Sequence, residues 1–198
     1  LRIILGVLIF MVLVAFTGRN MWGEVTNKQF IIATALCVLT GIFIIFPMPC
    51  NRYISIPITL FYFYFVPGKM FVRIEIPVHD LTILQEGAEW ANRLIIVLIF
   101  AVLLLLLQRV NWALGIGSIL ILVVSLINFY LNAFRGSCLT FNDLLASKTA
   151  LTVIDNYKLF MTSELWYSIL YFCFFIVLGF WCKVPYKKIY YHIGVSVI

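Results

Sequence analysis

Arg135 is the residue of this sequence best placed to bind an anion. It stands near the start of a polar stretch, NAFRGSCLTFNDLLASKTALTVIDNYKLF (residues 132–160), that separates two long apolar runs. A guanidinium fork at such a boundary matches the oxygens of a phosphate bidentately. Asn132, Asn142 and Asp143 are near it in sequence, and their side chains suit hydrogen bonds to a hydroxyl of a bound headgroup or to the arginine itself. A purely structural use of the same residues stays open. Arg135 would then pair with Asp143 or Asp155 to fix a surface helix, while Asn156 and Tyr157 cap its end.

Other chemistry-bearing residues form no constellation. The five cysteines (Cys37, Cys50, Cys138, Cys173 and Cys182) are odd in number and lack C-x-x-C spacing, so neither a disulfide framework nor a zinc site follows. His79 beside Asp80 has only Glu75 as a further nearby carboxylate, and His192 stands alone, short of a metal-ligand set. No Gly-rich phosphate loop, G-x-S-x-G elbow or H-E-x-x-H occurs. The segment thus carries no catalytic centre or cofactor site of its own, and nothing in it points to nucleic acid.

The elements that must position Arg135 are set by composition. Of 198 residues, 64% are hydrophobic and 11% charged, with a mean hydropathy of +1.10. A soluble domain needs roughly 25% charged residues to cover its exterior, so the solvent here is hydrocarbon. Apolar runs able to cross about 30 Å as helix lie at 30–48, 93–108, 112–134 and 164–182. Residues 1–16 form a further, shorter run, with no small-residue cleavage site to mark a signal peptide. The run 53–71 is rich in aromatics and has Pro57 and Pro67 near its ends, so a span, a kinked span and a re-entrant segment all stay open. The expected fold is an all-α polytopic transmembrane bundle of five or six spans plus the start of a further helix. Leu1 at the beginning and the apolar run YYHIGVSVI at the end read as cut ends of a longer chain.

Within the polar stretch, Thr140 and Asp143 match a variant of the capping box, and Phe141, Leu144, Leu145, Leu151 and Ile154 recur near helical spacing. That pattern predicts a short amphipathic helix on the membrane surface over part of 132–158. Trp22, Trp90, Trp112, Trp166 and Trp181 all fall near expected helix ends, as interfacial anchors do. Gly115, Gly117 and Ser118 predict close helix approach. No charged residue lies near the middle of a clear span, which removes the usual signature of a transporter or channel. A membrane scaffold with no catalytic partner is the other alternative.

Basic residues are held on the cytoplasmic side, and Lys183, Lys187 and Lys188 form the densest basic cluster. With Lys183–Lys188 cytoplasmic, residues 135–163 are extracellular and Arg109 is inside. If 53–71 spans, Arg2 and Arg52 join the inside set and all eight acidic residues fall outside. If it does not, Arg19 and Lys28 replace Arg2 and Arg52, and the inside basic count is unchanged. The loop 72–92, with Glu75, Asp80, Glu86 and Glu89, is then an outer loop able to meet a catalytic domain.

The string FRGSCLTFNDLLASKTALTVIDNY resembles a segment in the membrane domains of lipoteichoic acid synthase-like proteins, a branch of the phosphoglycerol transferase and sulfatase superfamily. The matching positions are Phe134, Arg135, Gly136, Asp143, Leu144, Thr149, Ala150, Val153, Asn156 and Tyr157, within about 24 of 198 residues. Cys138 stands where many relatives carry proline. The resemblance implies a multi-pass protein of the bacterial cell membrane, acting in envelope biogenesis on a phosphatidylglycerol-like donor. It also implies a C-terminal extracellular domain beyond residue 198 of alkaline phosphatase type, holding a nucleophilic Thr and a divalent metal, usually manganese. The simplest such synthases have five helices, so an additional pair keeps the parity that delivers the catalytic domain outside.

Overall fold

The computed structural model describes residues 2–21, 26–46, 52–75, 88–137 and 160–182. Among them all regular structure is α-helical, in six segments. These are α1 (Arg2–Met21), α2 (Asn27–Ile45), α3 (Arg52–Glu75), α4 (Ala88–Leu107), α5 (Val110–Arg135) and α6 (Ser163–Trp181). All six are long and apolar enough to cross a membrane. Helix is the form a spanning segment takes because it satisfies its backbone groups internally where no water is available.

The aromatic-rich segment is therefore a sixth long helix, and α3 runs unbroken through Pro57 and Pro67. Each proline removes one backbone donor, and the packing of the helix compensates. Tyr62, Val66 and Met70, spaced by four, form one buried stripe, and Pro67 is itself fully buried. The ends of α3 and α4 lie closer together than the apolar runs indicated. Arg73, Glu75 and Trp90 are helical residues rather than parts of the outer loop expected at 72–92, since arginine and tryptophan side chains let a helix continue into the headgroup zone. The expected surface helix within 132–158 and the cluster Lys183–Lys188 lie outside the described residues.

Successive helices run in opposite directions, so each membrane face gathers alternate helix ends. Gly6 lies against Ile45 and Gly41 against Phe10, which makes α1 and α2 antiparallel. Gln29 meets Glu164 and Phe46 meets Trp181, so α2 and α6 are parallel. One face, the Arg135 end, holds the ends of α1, α3 and α5 and the starts of α2, α4 and α6. The opposite face is the Arg109 end, where Gln108 adopts a left-handed φ of 55° to turn α4 into α5.

Helix α6 is the hub. Its Trp166, Tyr167 and Leu170 pack with α1 and α2 around Leu13, Ala33 and Cys37. Its Phe172, Phe175 and Leu178 pack with α3, α4 and α5 around Tyr62, Phe100 and Leu114. A helix buried on both sides is apolar on most of its surface, and beyond its first turn α6 carries no charged residue. By contrast α4 leaves Leu94, Leu98, Val102, Leu105 and Leu106 exposed, as a lipid-facing helix does.

The small residues act as their spacing predicted. A Cβ on Gly179 would come within 2.9 Å of the backbone of Gly115 and Leu114, and one on Gly115 would enter the Phe180 ring at 2.6 Å. The α5–α6 contact is thus backbone against backbone, the close approach that drives association where no hydrophobic effect separates helix from lipid.

Candidate functional site

Three features meet at the Arg135 end, and the first is the terminus of α5. Gly136 ends the helix in the left-handed region, φ 67°, with its N–H donating to the Asn132 carbonyl at 2.8 Å. A residue with a Cβ is strained there, which gives the glycine of F-R-G a physical reason. Arg135 is exposed, and its Nε donates to Ser137 Oγ at 2.8 Å. That bond curls the side chain over the helix end and holds the guanidinium at the surface. Asn132 is half-buried one turn below.

Phe134 points the other way, into a cluster that joins α5 to the lead-in of α6. Its ring stacks on Tyr130 at 6.0 Å and meets Phe160 edge-on at 6.4 Å. The Tyr130 hydroxyl donates to the Phe160 carbonyl at 3.0 Å. The structure divides F-R-G into an aromatic that packs, an exposed cation and a helix stop. Asn142, Asp143, Leu144, Thr149, Ala150, Val153, Asn156 and Tyr157 lie outside the described residues, so the structural pairing of Arg135 with Asp143 or Asp155 does as well.

The second feature is an apolar cavity of about 220 Å³ between α3, α4 and α5. Glu75 and Asn92 mark its polar rim, and Ile96, Ile99, Ile121 and Val124 line it toward mid-membrane.

The third feature was not singled out from sequence. Arg73, in the last turn of α3, reaches α6, where its guanidinium carbon lies 4.2 Å from the Tyr171 ring centre and 4.7 Å from that of Tyr167. Its Nε is buried without a hydrogen-bond partner. The signal in the sequence was a pair of tyrosines at i and i+4 near the start of one apolar run and an arginine at the end of another. Neither run alone says that the two ends meet.

The tryptophans divide into two kinds. Trp90 and Trp112 are 66% and 46% exposed at the starts of α4 and α5, consistent with rings at the headgroup level. Trp166 is buried and donates to Thr17 Oγ1 at 3.3 Å, and Trp181 donates to the Phe46 carbonyl at 2.8 Å. These two join helices rather than anchoring the surface, because their indoles face acceptors on neighbouring helices. Trp22 lies outside the described residues. Cys37 and Cys182 are buried and, like Cys173, free. Among the described residues no group of three or more His, Cys, Asp or Glu is placed to hold a metal.

No protein family, curated protein or solved structure matches this chain.

Proposed function

We propose that this six-helix unit is the membrane domain of a bacterial cell-envelope phosphoglycerol transferase, or of a related phospho-alcohol transferase. Its role is to hold an extracellular catalytic domain of alkaline phosphatase type beside a phosphatidylglycerol-like donor. The observation that carries this reading is the α5 terminus, where Gly136 stops the helix at the membrane boundary and leaves Arg135 exposed. This is an economical way to present a phosphate-binding fork at the depth of a lipid headgroup. The support is the resemblance around Phe134, Arg135 and Gly136 together with this geometry. The unit supplies lipid positioning and anchoring, while the nucleophilic Thr and the manganese belong to the domain expected beyond residue 198.

The Arg135 end faces outward in this reading. Of the basic residues outside the six described helices, Arg109 stands between α4 and α5, Lys183, Lys187 and Lys188 follow α6 in sequence, and Lys148 and Lys158 fall in sequence between α5 and α6. Positive charge in short connections is retained in the cytoplasm, which favours the Arg109 end inside.

The test is transfer of labelled phosphoglycerol from phosphatidylglycerol in membranes carrying the full-length gene product. Arg135→Ala is expected to lower turnover at least about tenfold at equal expression, the size of one lost charge-assisted hydrogen bond. An intact reaction in Arg135→Ala would remove the role assigned to Arg135. A gene product whose reading frame ends without a metal-binding catalytic domain would remove the transferase reading itself.

A further inference from the structure

We propose that Arg73, backed by Tyr167 and Tyr171, forms a second anion site, one that takes the phosphate group of a lipid or a small phosphate ester. The inference is independent of the transferase reading and of Arg135, which sits on a different helix.

Position comes first. Arg73 is two residues from the end of α3, so its guanidinium sits where hydrocarbon gives way to headgroups. An arginine at that depth ordinarily extends outward to water. Arg73 instead lies across the Tyr171 and Tyr167 rings of α6, at 4.2 and 4.7 Å. The two rings are themselves 5.3 Å apart and edge-on, so they form a corner against the cation rather than a flat shelf. Cation–π contact with this corner holds the guanidinium in place.

Among the described residues no acceptor meets the guanidinium at Nε, which is buried without a hydrogen bond. Glu164, the acid at the start of α6, accepts from Gln29 Nε2 at 3.1 Å and so ties α6 to α2. Glu75 lines the rim of the cavity between α3, α4 and α5. A charged donor kept from water without an acceptor costs several-fold more than an unpaired neutral one. An arginine so placed is therefore poised for an acceptor brought from outside. A phosphate monoanion at headgroup depth has the charge, the oxygens and the location.

Arg93 supplies the contrast that makes the inference specific. It also lies near rings, 5.0 Å from Tyr64 and 5.1 Å from Trp90, but those rings are 70% and 66% exposed. Arg93 is half-buried like Arg73 and packs against Gly68 of α3; the difference is that Arg73 has a buried Nε without a hydrogen-bond partner among the described residues.

The experiment uses the purified chain in a neutral detergent, with melting followed by the loss of helical circular dichroism. It is titrated separately with phosphatidylglycerol, phosphatidylcholine and glycerol 3-phosphate. Phosphatidylglycerol is expected to raise Tm in a saturable way, as a ligand of the folded state must. Arg73→Gln is expected to weaken its apparent affinity at least about tenfold, Arg73→Lys by less, and Arg93→Gln by under about twofold. A rise with phosphatidylglycerol but not glycerol 3-phosphate assigns the site to lipid. A rise with both, lost in Arg73→Gln, assigns it to phosphate esters generally. No rise with either on the unaltered protein, or an equal rise in a folded Arg73→Gln or Arg73→Lys, overturns the proposal. Should Arg73→Gln fail to fold, the unaltered protein and the lysine variant still decide between these outcomes.

Discussion

Tyr62 carries a hydroxyl into the middle of the bundle, and the chain spends three helices on satisfying it. The hydroxyl lies 2.6 Å from Ser118 Oγ on α5 and donates to the Phe175 carbonyl on α6 at 3.1 Å. Ser118 also donates to the Leu114 carbonyl at 2.7 Å, so within the Tyr62–Ser118 pair the shared proton comes from Tyr62 in one arrangement and from Ser118 in the other. In hydrocarbon such bonds tie helices together, with measured values averaging about 0.6 and reaching about 1.7 kcal/mol. Tyr62→Phe keeps the ring against Phe100 and removes the hydroxyl with its contacts to Ser118 and the Phe175 carbonyl. It is expected to lower unfolding stability in detergent or bicelles by about 0.6–1.7 kcal/mol. Adding Ser118→Ala should then cost less than it does alone, since the partner is already gone. Purely additive losses would show that the two hydroxyls act separately. The same scale explains why part of the site was hidden. Ser118 was legible only as a small residue, and Arg73 only as a charge near a run's end, because hydrogen bonds and ring contacts between distant segments leave no trace in spacing.

At the scale of the element, the glycines sort by what stands opposite them. Gly179 on α6 meets the α5 backbone, which has no rotamer to yield, and an added Cβ would lie 2.9 Å away. Gly179→Ala is expected to destabilise by about 1–3 kcal/mol, the usual cost of overpacking. Gly18 on α1 has nothing within 4 Å of the added atom. Gly18→Ala should be neutral or stabilising by up to about 1 kcal/mol, through helix propensity alone. Equal effects of the two changes would place the α5–α6 contact elsewhere. This contrast also measures what the sequence could disclose. The cluster at Gly115, Gly117 and Ser118 pointed to close approach, and the partners proved to be α6 for Gly115 and α4 for Gly117, through Phe100. The apolar runs disclosed most of the helices because a span needs nothing more than length and hydrophobicity. Helix α3 stayed open in sequence because prolines and tyrosines fit a re-entrant segment as well as a span. Its buried stripe of Tyr62, Val66 and Met70 decides for helix only once α5 and α6 are in place.

For the whole molecule, the question is which face meets the outside, and charge frames it. The helices place Arg19, Lys28, Lys69, Arg73, Arg93 and Arg135 toward the Arg135 end, with Glu75, Glu89 and Glu164, and only Arg2 and Arg52, with Arg109 in the α4–α5 turn, toward the other. A bare count of bases therefore favours the Arg135 end as cytoplasmic, against the reading from connecting segments. The two differ because Lys69, Arg73 and Arg93 lie against the rings of Phe65, of Tyr167 and Tyr171, and of Tyr64 and Trp90. All three stand inside helices rather than in connections, while Lys183, Lys187 and Lys188 follow α6 as a dense cluster in sequence. Retention acts on charge in the short connections during insertion, so the cluster should prevail. With native cysteines replaced, Ser137→Cys is expected to react in intact cells with a membrane-impermeant maleimide. Gln108→Cys, in the turn between α4 and α5, should react only after the membrane is opened. The reverse pattern would put Arg135 in the cytoplasm, where an extracellular catalytic domain could not reach it, and would end the transferase reading. It would leave the lipid-phosphate site at Arg73 standing, since anionic headgroups line both leaflets.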